Sequence, residues 1–255
     1  MSIEVWGDLA VDLSATQAII FDMGGTLYDI RRESVVMVRF FLRELGLTKI
    51  DRLSDKQIER LMEPADGWFD RTLIERDVGP HWLPTTEDWI EYDRRLLTEF
   101  GVKENADSKA RECERKWAAV PVEKRSTLLE GCKPVLEELK SRGYKLGIAS
   151  NRHNDPSARL AYDCLTSLFG AVEYSCVPGY KKPSPYMLVQ VASALRVSPR
   201  KCVYVGDSID YDVEAAMRAD MIPILLAWCN QDEASRVAEG TTVIGHIREI
   251  LEIFP

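Results

Sequence analysis

Apolar runs and helical periodicities divide the chain into two kinds of sequence. Ala18-Ile19-Ile20-Phe21 is an unbroken apolar run that ends on Asp22, before the turn Met23-Gly24-Gly25-Thr26. A short run bounded by turn residues predicts a strand buried on both faces of a parallel sheet. Ahead of it, Ile3, Val5, Leu9, Val11 and Leu13 fall on odd positions, with Trp6 and Gly7 breaking the alternation. That pattern fits an edge strand or a covering segment in residues 1–17.

After Asp29 the period lengthens. Val36, Val38, Phe40, Phe41 and Leu45 recur at helical spacing. Ser54 and Gln57 form a capping box that opens a second helix, which Pro64 and Gly67 are expected to interrupt. Gly79-Pro80 and Pro84 mark a loop, and Thr85 or Thr86 caps a helix to about Phe100. Asn105 to Val120 reads as a further helix, ended by Pro121. No strand pattern occurs from Ile30 to Pro121, so residues 31–121 are expected to form an all-helical unit.

From Gly131 onward, helices and strands alternate. Helices are expected at Val135 to Arg142, near Ser157 to Leu168, at Tyr186 to Leu195 and at Val213 to Arg218. Strands are expected at Lys145 to Ala149, Val172 to Ser175, Val203 to Val205 and Ile222 to Ala227, with a short strand and helix between Val243 and Phe254. This alternation predicts an α/β fold, a doubly wound parallel sheet with right-handed crossovers. Residues 1–30 and 122–255 then make the α/β core, and 31–121 a helical cap domain spliced in just after the turn carrying Asp22.

Composition narrows the partners. A net charge of -8 over 255 residues argues against a nucleic-acid surface. No apolar run is long enough to span a bilayer, and the first residues lack the basic and apolar blocks of a signal peptide. The expectation is a cytoplasmic protein with no membrane and no nucleic-acid partner; the pattern assigns no oligomeric state. The cysteines, at 113, 132, 164, 176, 202 and 229, are scattered without a Cys-x-x-Cys pair, which suits reduced thiols rather than a disulfide framework or a metal site.

Candidate chemistry gathers where strands end. Ligands in open α/β sheets bind beyond the carboxyl ends of the strands. Asp22 lies at one such end. Ala149-Ser150-Asn151 places a hydroxyl and an amide at another. Tyr180-Lys181-Lys182-Pro183-Ser184-Pro185 holds lysines at a proline-rich helix entry. Val205-Gly206-Asp207, with Asp212 following, puts carboxylates at a fourth, a donor set that suits Mg²⁺. Each has a plainer reading as a charged turn, a solvated loop or an acidic helix N-terminus.

Taken in this order, the four stretches resemble the haloacid dehalogenase superfamily, over about residues 18–30 and 128–255. The insertion resembles members whose cap follows the first strand; Asn151 to Lys182 is too short to hold the alternative cap. The resemblance implies Asp22 as the nucleophile, forming an aspartyl-phosphate. It implies Ser150 as the phosphate-binding hydroxyl and Lys182 as the active-site lysine, with Lys181 the fallback. Thr26 and Asn151 are implied in substrate binding. Asp22, the Gly24 carbonyl and Asp207 are implied as Mg²⁺ ligands, with Asp212 supporting. The activity implied is a Mg²⁺-dependent phosphatase acting on a small phosphorylated metabolite.

Gly24 departs from the pattern. Most phosphatases that the chain resembles carry a second aspartate there, as acid and base. Its absence keeps two alternatives open: a dehalogenase-like or phosphonate hydrolase, and a weakly active phosphate-binding or regulatory protein. The fourth stretch is of the phosphatase type, which favours phosphoryl chemistry. His153, Asp29 and Tyr28 are the residues that could supply a proton instead. Trp68, Trp82, Trp89 and Trp117 are expected in the packing of the helical unit, and its arginines on solvated faces paired with acids.

Overall fold

Six parallel strands form the central sheet of the computed structural model, which describes residues 13–29, 33–121, 126–228, 231–237 and 241–254. We number the strands β1 (Ala18–Phe21), β2 (Tyr28–Asp29), β3 (Thr127–Leu128), β4 (Lys145–Ser150), β5 (Phe169–Tyr174), β6 (Cys202–Gly206), β7 (Ile222–Leu226) and β8 (Thr242–Ile244). The sheet runs β5-β4-β1-β6-β7-β8. β1 lies at its centre, with Phe21 in register with Ile148 on one side and Val205 on the other.

All four residues of β1 are fully buried, because both faces of the sheet are covered. Ile19 and Phe21 enter one core cluster with Val135, Leu136 and Leu139 of helix Cys132–Ser141. Ala18 and Ile20 enter a second with Leu188 and Val191 of helix Tyr186–Leu195 and with Ala215. One apolar strand thus feeds two layers through its alternating side chains, which is why its sequence shows no polar alternation. Tertiary clustering separates residues 1–29 with 127–255 from residues 30–126.

Among its described residues the second unit is helical. Its α-helices are Glu33–Glu44, Asp55–Glu75, Thr86–Glu99 and Ala106–Ala118. They close on Val35, Val38, Leu42, Ile58, Ala65 and Leu97. Capping boxes form at Ser54 with Gln57 and at Thr85 with Asp88. Pro64 does not interrupt its helix: Ile58, Ala65, Phe69 and Leu73 form one buried stripe along Asp55–Glu75. That continuous stripe, fixed by the cap, outweighs the one helical hydrogen bond a proline removes. Trp89 stacks on Phe69 at 5.4 Å, and Trp117 meets Phe41 edge-on at 6.4 Å. Arg94 and Arg95 pair with Glu91, and Arg111 with Glu87 and Asp107.

Other expectations shift at their edges. The helix near Ser157 to Leu168 is Ser157–Tyr162 followed by a 3₁₀ turn, Thr166–Leu168, and β5 begins at Phe169 rather than Val172. The stretch before helix Glu214–Arg218 winds as a π-turn over Ile209–Val213. β2 and β3 pair antiparallel and are too short to show in the sequence. Of residues 1–17, only the part from Leu13 is described; Leu13–Ala15 is a 3₁₀ turn, and the proposed strand lies outside the described residues. Cys113, Cys132, Cys164, Cys176 and Cys202 are free thiols. No helix among the described residues is long and apolar enough to cross a membrane.

Candidate active site

The site is built where β1, β4 and β6 end together. The register that pairs Phe21 with Ile148 and Val205 brings Asp22, Ser150 and Asp207 to one edge of the sheet. Asp22 continues the ladder through its N–H, which donates to the Val205 carbonyl at 2.9 Å. Its side chain is buried, as are those of Ser150, Lys182 and Asp212.

Lys182 organises these acids. Its ammonium donates to Asp22 Oδ1 and to Asp212 Oδ1, each at 2.6 Å, and to the Tyr204 hydroxyl at 2.8 Å. The loop carrying it is held by Asn151, whose Oδ1 accepts from the Lys182 N–H at 2.8 Å while Nδ2 donates to the Lys182 carbonyl at 3.2 Å. The Asn151 amide therefore aligns the lysine loop. The ion pairs described to Asp22 and Asp212 both come from Lys182.

Asp212 has both oxygens engaged. Oδ1 takes Lys182, and Oδ2 accepts from the N–H groups of Asp207 and Ser208 at 3.0 Å. Gly206 makes this possible, since a Cβ there would lie 2.3 Å from the Asp212 carboxyl carbon. Gly25, with φ of +76°, does the same for Asp207: a Cβ would lie 2.2 Å from its Oδ2. The glycines in these turns admit carboxylates to the backbone.

The electrostatics show what the acids need. Burial pulls Lys182 down, but Asp212 and Asp22 outweigh it and hold the ammonium above the ordinary lysine range. Burial pushes Asp22 up; Lys182 opposes this and Asp212 adds to it, while the Ser150 hydroxyl favours the ionised form. Burial, then Asp212 and Asp22, push Asp207 up to about 8. One ammonium thus faces three carboxylates whose oxygens lie within 4.8 Å of one another.

That excess of negative charge fits a divalent cation with oxygen ligands. With Asp212 spent on Lys182 and the main chain, Asp22 and Asp207 are the carboxylates suited to hold it. In the turn after Asp22, Tyr28 pairs with the Met23 carbonyl and the Gly25 N–H, at 2.8 Å each, so this bridge does not use the Gly24 carbonyl. Thr26 is fully buried, and its hydroxyl has no hydrogen-bond partner among the described residues.

Three contributors are absent from the sequence reading. Tyr204 looks like one more residue of an apolar strand; its hydroxyl was the available signal. The Trp228 indole N–H donates to the Gly25 carbonyl. Glu233 accepts from the Ile209 N–H at 3.0 Å and so braces the turn leading to Asp212. Tyr28 is buried with its hydroxyl on Asp163, and His153 is half-buried at the bend after Asn151.

Comparison with known proteins adds the following. A sequence model described as haloacid dehalogenase-like hydrolase matches residues 16–220. A phosphoglycolate phosphatase of Nitrosococcus oceani is 27% identical, over 93% of this chain and 96% of that protein. One from Aquifex aeolicus is 26% identical, over 83% of this chain and 85% of that protein. The crystal structure of a predicted phosphoglycolate phosphatase from Haemophilus somnus superposes with a TM-score of 0.65 at 18% identity, covering 94% of this chain and 99% of that one.

Proposed function

The chain belongs to the haloacid dehalogenase-like hydrolases, and within that family we propose that it is a Mg²⁺-dependent phosphoric monoester hydrolase acting on a small phosphorylated metabolite. The observation that carries this reading is the trio Asp22, Asp207 and Asp212, gathered at the strand ends around a single ammonium. The likeness to phosphoglycolate phosphatases supports a small anionic ester as substrate. The free thiols support a cytoplasmic setting.

In this reading Asp22 attacks phosphorus. The Asp22 oxygen–phosphorus bond forms, the bond from phosphorus to the ester oxygen breaks, and the leaving group takes up a proton. Water then attacks phosphorus and frees Asp22 with inorganic phosphate. Lys182 opposes the burial that pushes Asp22 up, and aims its carboxylate. Asp212 orients Lys182, and Asn151 fixes the lysine loop. The Ser150 hydroxyl is assigned to a phosphoryl oxygen, and the buried Thr26 hydroxyl, without a partner among the described residues, to the same binding turn. Asp22, the Gly24 carbonyl and Asp207 would hold Mg²⁺, which would supply charge neutralisation of the ester. The helical unit serves as the cap that selects the leaving group.

Gly24 favours a second reading. With no side chain there to protonate a leaving group, hydrolysis of a carbon–halogen or carbon–phosphorus bond, or phosphate binding with weak turnover, is the competing assignment. A screen of phosphorylated metabolites for phosphate release decides. We expect release that needs Mg²⁺, stops with EDTA and is abolished by Asp22→Asn, with the phosphoryl group trapped on Asp22 in the wild type. Full activity in EDTA, or a phosphoryl group on another residue, would overturn the reading.

A further inference from the structure

An ammonium has three protons, and Lys182 meets three acceptors: Asp22 Oδ1, Asp212 Oδ1 and the Tyr204 hydroxyl oxygen. The direction of the third bond is fixed by the other side of the phenol. Tyr204 has one hydroxyl proton, and the Ala149 carbonyl takes it at 2.7 Å; Asp212 Oδ1 is more distant, at 3.3 Å. A lone pair of the phenol oxygen therefore faces Lys182. The ring is fully buried on β6, in the core cluster that also contains Ala149 and Met187.

We infer that Tyr204 is a positioning residue for the nucleophile: its hydroxyl is the third acceptor that locks the Lys182 ammonium between Asp22 and Asp212. Through the Ala149 carbonyl the same hydroxyl ties the lysine to the end of β4, one residue before Ser150. Asp22, the lysine and the main chain of β4 next to Ser150 are thereby held by one hydrogen-bonded chain across β1, β4 and β6. With every proton spent, Lys182 acts on Asp22 as a fixed counter-charge. Without Tyr204, one N–H loses its acceptor and the ammonium is free to rotate away from Asp22. A buried hydrogen bond to a charged group is strong enough for its loss to be read directly.

The kinetic part of this inference rests on the phosphatase reading; the structural part does not, and NMR reads it separately. With ¹⁵N-labelled lysine, a buried ammonium holding three partners exchanges its protons slowly and gives a protected Nζ resonance. We expect one such signal in the wild-type full chain, absent in Lys182→Arg. In Tyr204→Phe its exchange with water should rise at least about tenfold. The kcat with Mg²⁺ should fall about tenfold with KM within about twofold, in a protein that circular dichroism shows to be folded. A folded Tyr204→Phe with unchanged exchange and unchanged kcat would overturn the inference. If that variant does not fold, the wild-type spectrum decides: an unprotected Lys182 ammonium overturns the inference and a protected one supports it. A protected signal in a wild type that hydrolyses no phosphate ester would sink the functional reading and leave the role of Tyr204 standing.

Discussion

Lys182 Nζ lies 2.6 Å from Asp22 Oδ1, with the two side chains 3% and 8% exposed. An ion pair this far from water cannot be broken cheaply from one side. Lys182→Met strands Asp22 and Asp212 as buried carboxylates without their cation. We expect a loss of about 3–5 kcal/mol in stability, read by urea unfolding, together with loss of turnover. A variant as stable as the wild type would show that the carboxylates find another counter-charge.

Gly25→Ala should uncouple Mg²⁺ binding from gross folding. The added Cβ would lie 2.2 Å from Asp207 Oδ2, on a backbone whose φ of +76° already disfavours it. The carboxylate must move. We expect weaker Mg²⁺ binding by calorimetry and a destabilisation of about 1–3 kcal/mol. Gly46→Ala, at φ of +79° with nothing within 4 Å of the new Cβ, is the control that carries backbone strain alone. Equal Mg²⁺ affinity in both variants would dismiss the clash as the cause.

Gly24→Asp tests the missing proton donor. The left-handed backbone in this turn belongs to Gly25, so aspartate at 24 faces no positive-φ penalty. A positioned general acid or base contributes roughly a hundredfold to ten-thousandfold. Gly24→Asp should raise turnover of alkyl phosphates far more than of p-nitrophenyl phosphate, whose leaving group departs without a proton. The ratio of the two rates is the measurement. An unchanged ratio would point to another donor, with His153 and Asp29 the first to substitute.

Asp93 makes the helical unit sensitive to pH. Burial, then the nearby Glu114 carboxylate, push it up to about 7; the Cys113 thiol and the Tyr92 phenol also lie within its field. The folded protein therefore holds a proton that the unfolded chain, with an aspartate near about 3.9, has released. Stability is full below the unfolded value and is lost as pH rises through about 7. Asp93→Asn should raise the melting temperature at pH 8 and leave it unchanged near pH 4. A gain of equal size at both pH values would assign it to packing.

The sequence makes the ends of the strands legible and their order opaque. Ala18–Phe21 and Val203–Val205 announce themselves as buried strands, the first followed directly by Asp22 and the second by Gly206 and Asp207. That β1 lies between β4 and β6 follows from pairing across more than a hundred residues, which no local pattern encodes. Tyr204 was missed for this reason: its hydroxyl acquires a purpose only when Ala149 arrives alongside. Asn151 reads as a ligand-facing amide, and its bonds to main chain thirty-one residues away have no local signal. Pro64 misled because proline is a local signal and the buried stripe through Phe69 and Leu73 is not.

The pairing of β2 with β3 has a further meaning. Tyr28 faces Leu128 and Asp29 faces Thr127, and the Leu129 N–H reaches the Leu27 carbonyl at 2.9 Å. Residues 30–126 thus leave and rejoin the core through neighbouring strands about 5 Å apart. Joining Asp29 to Thr127 by a short turn would convert the pair into an ordinary β-hairpin with its register intact. The closure entropy of the long excursion falls on the insert, not on the sheet. The core therefore carries a port: what is plugged in there can change in length, composition and ancestry while the strands and their carboxylates stay in step.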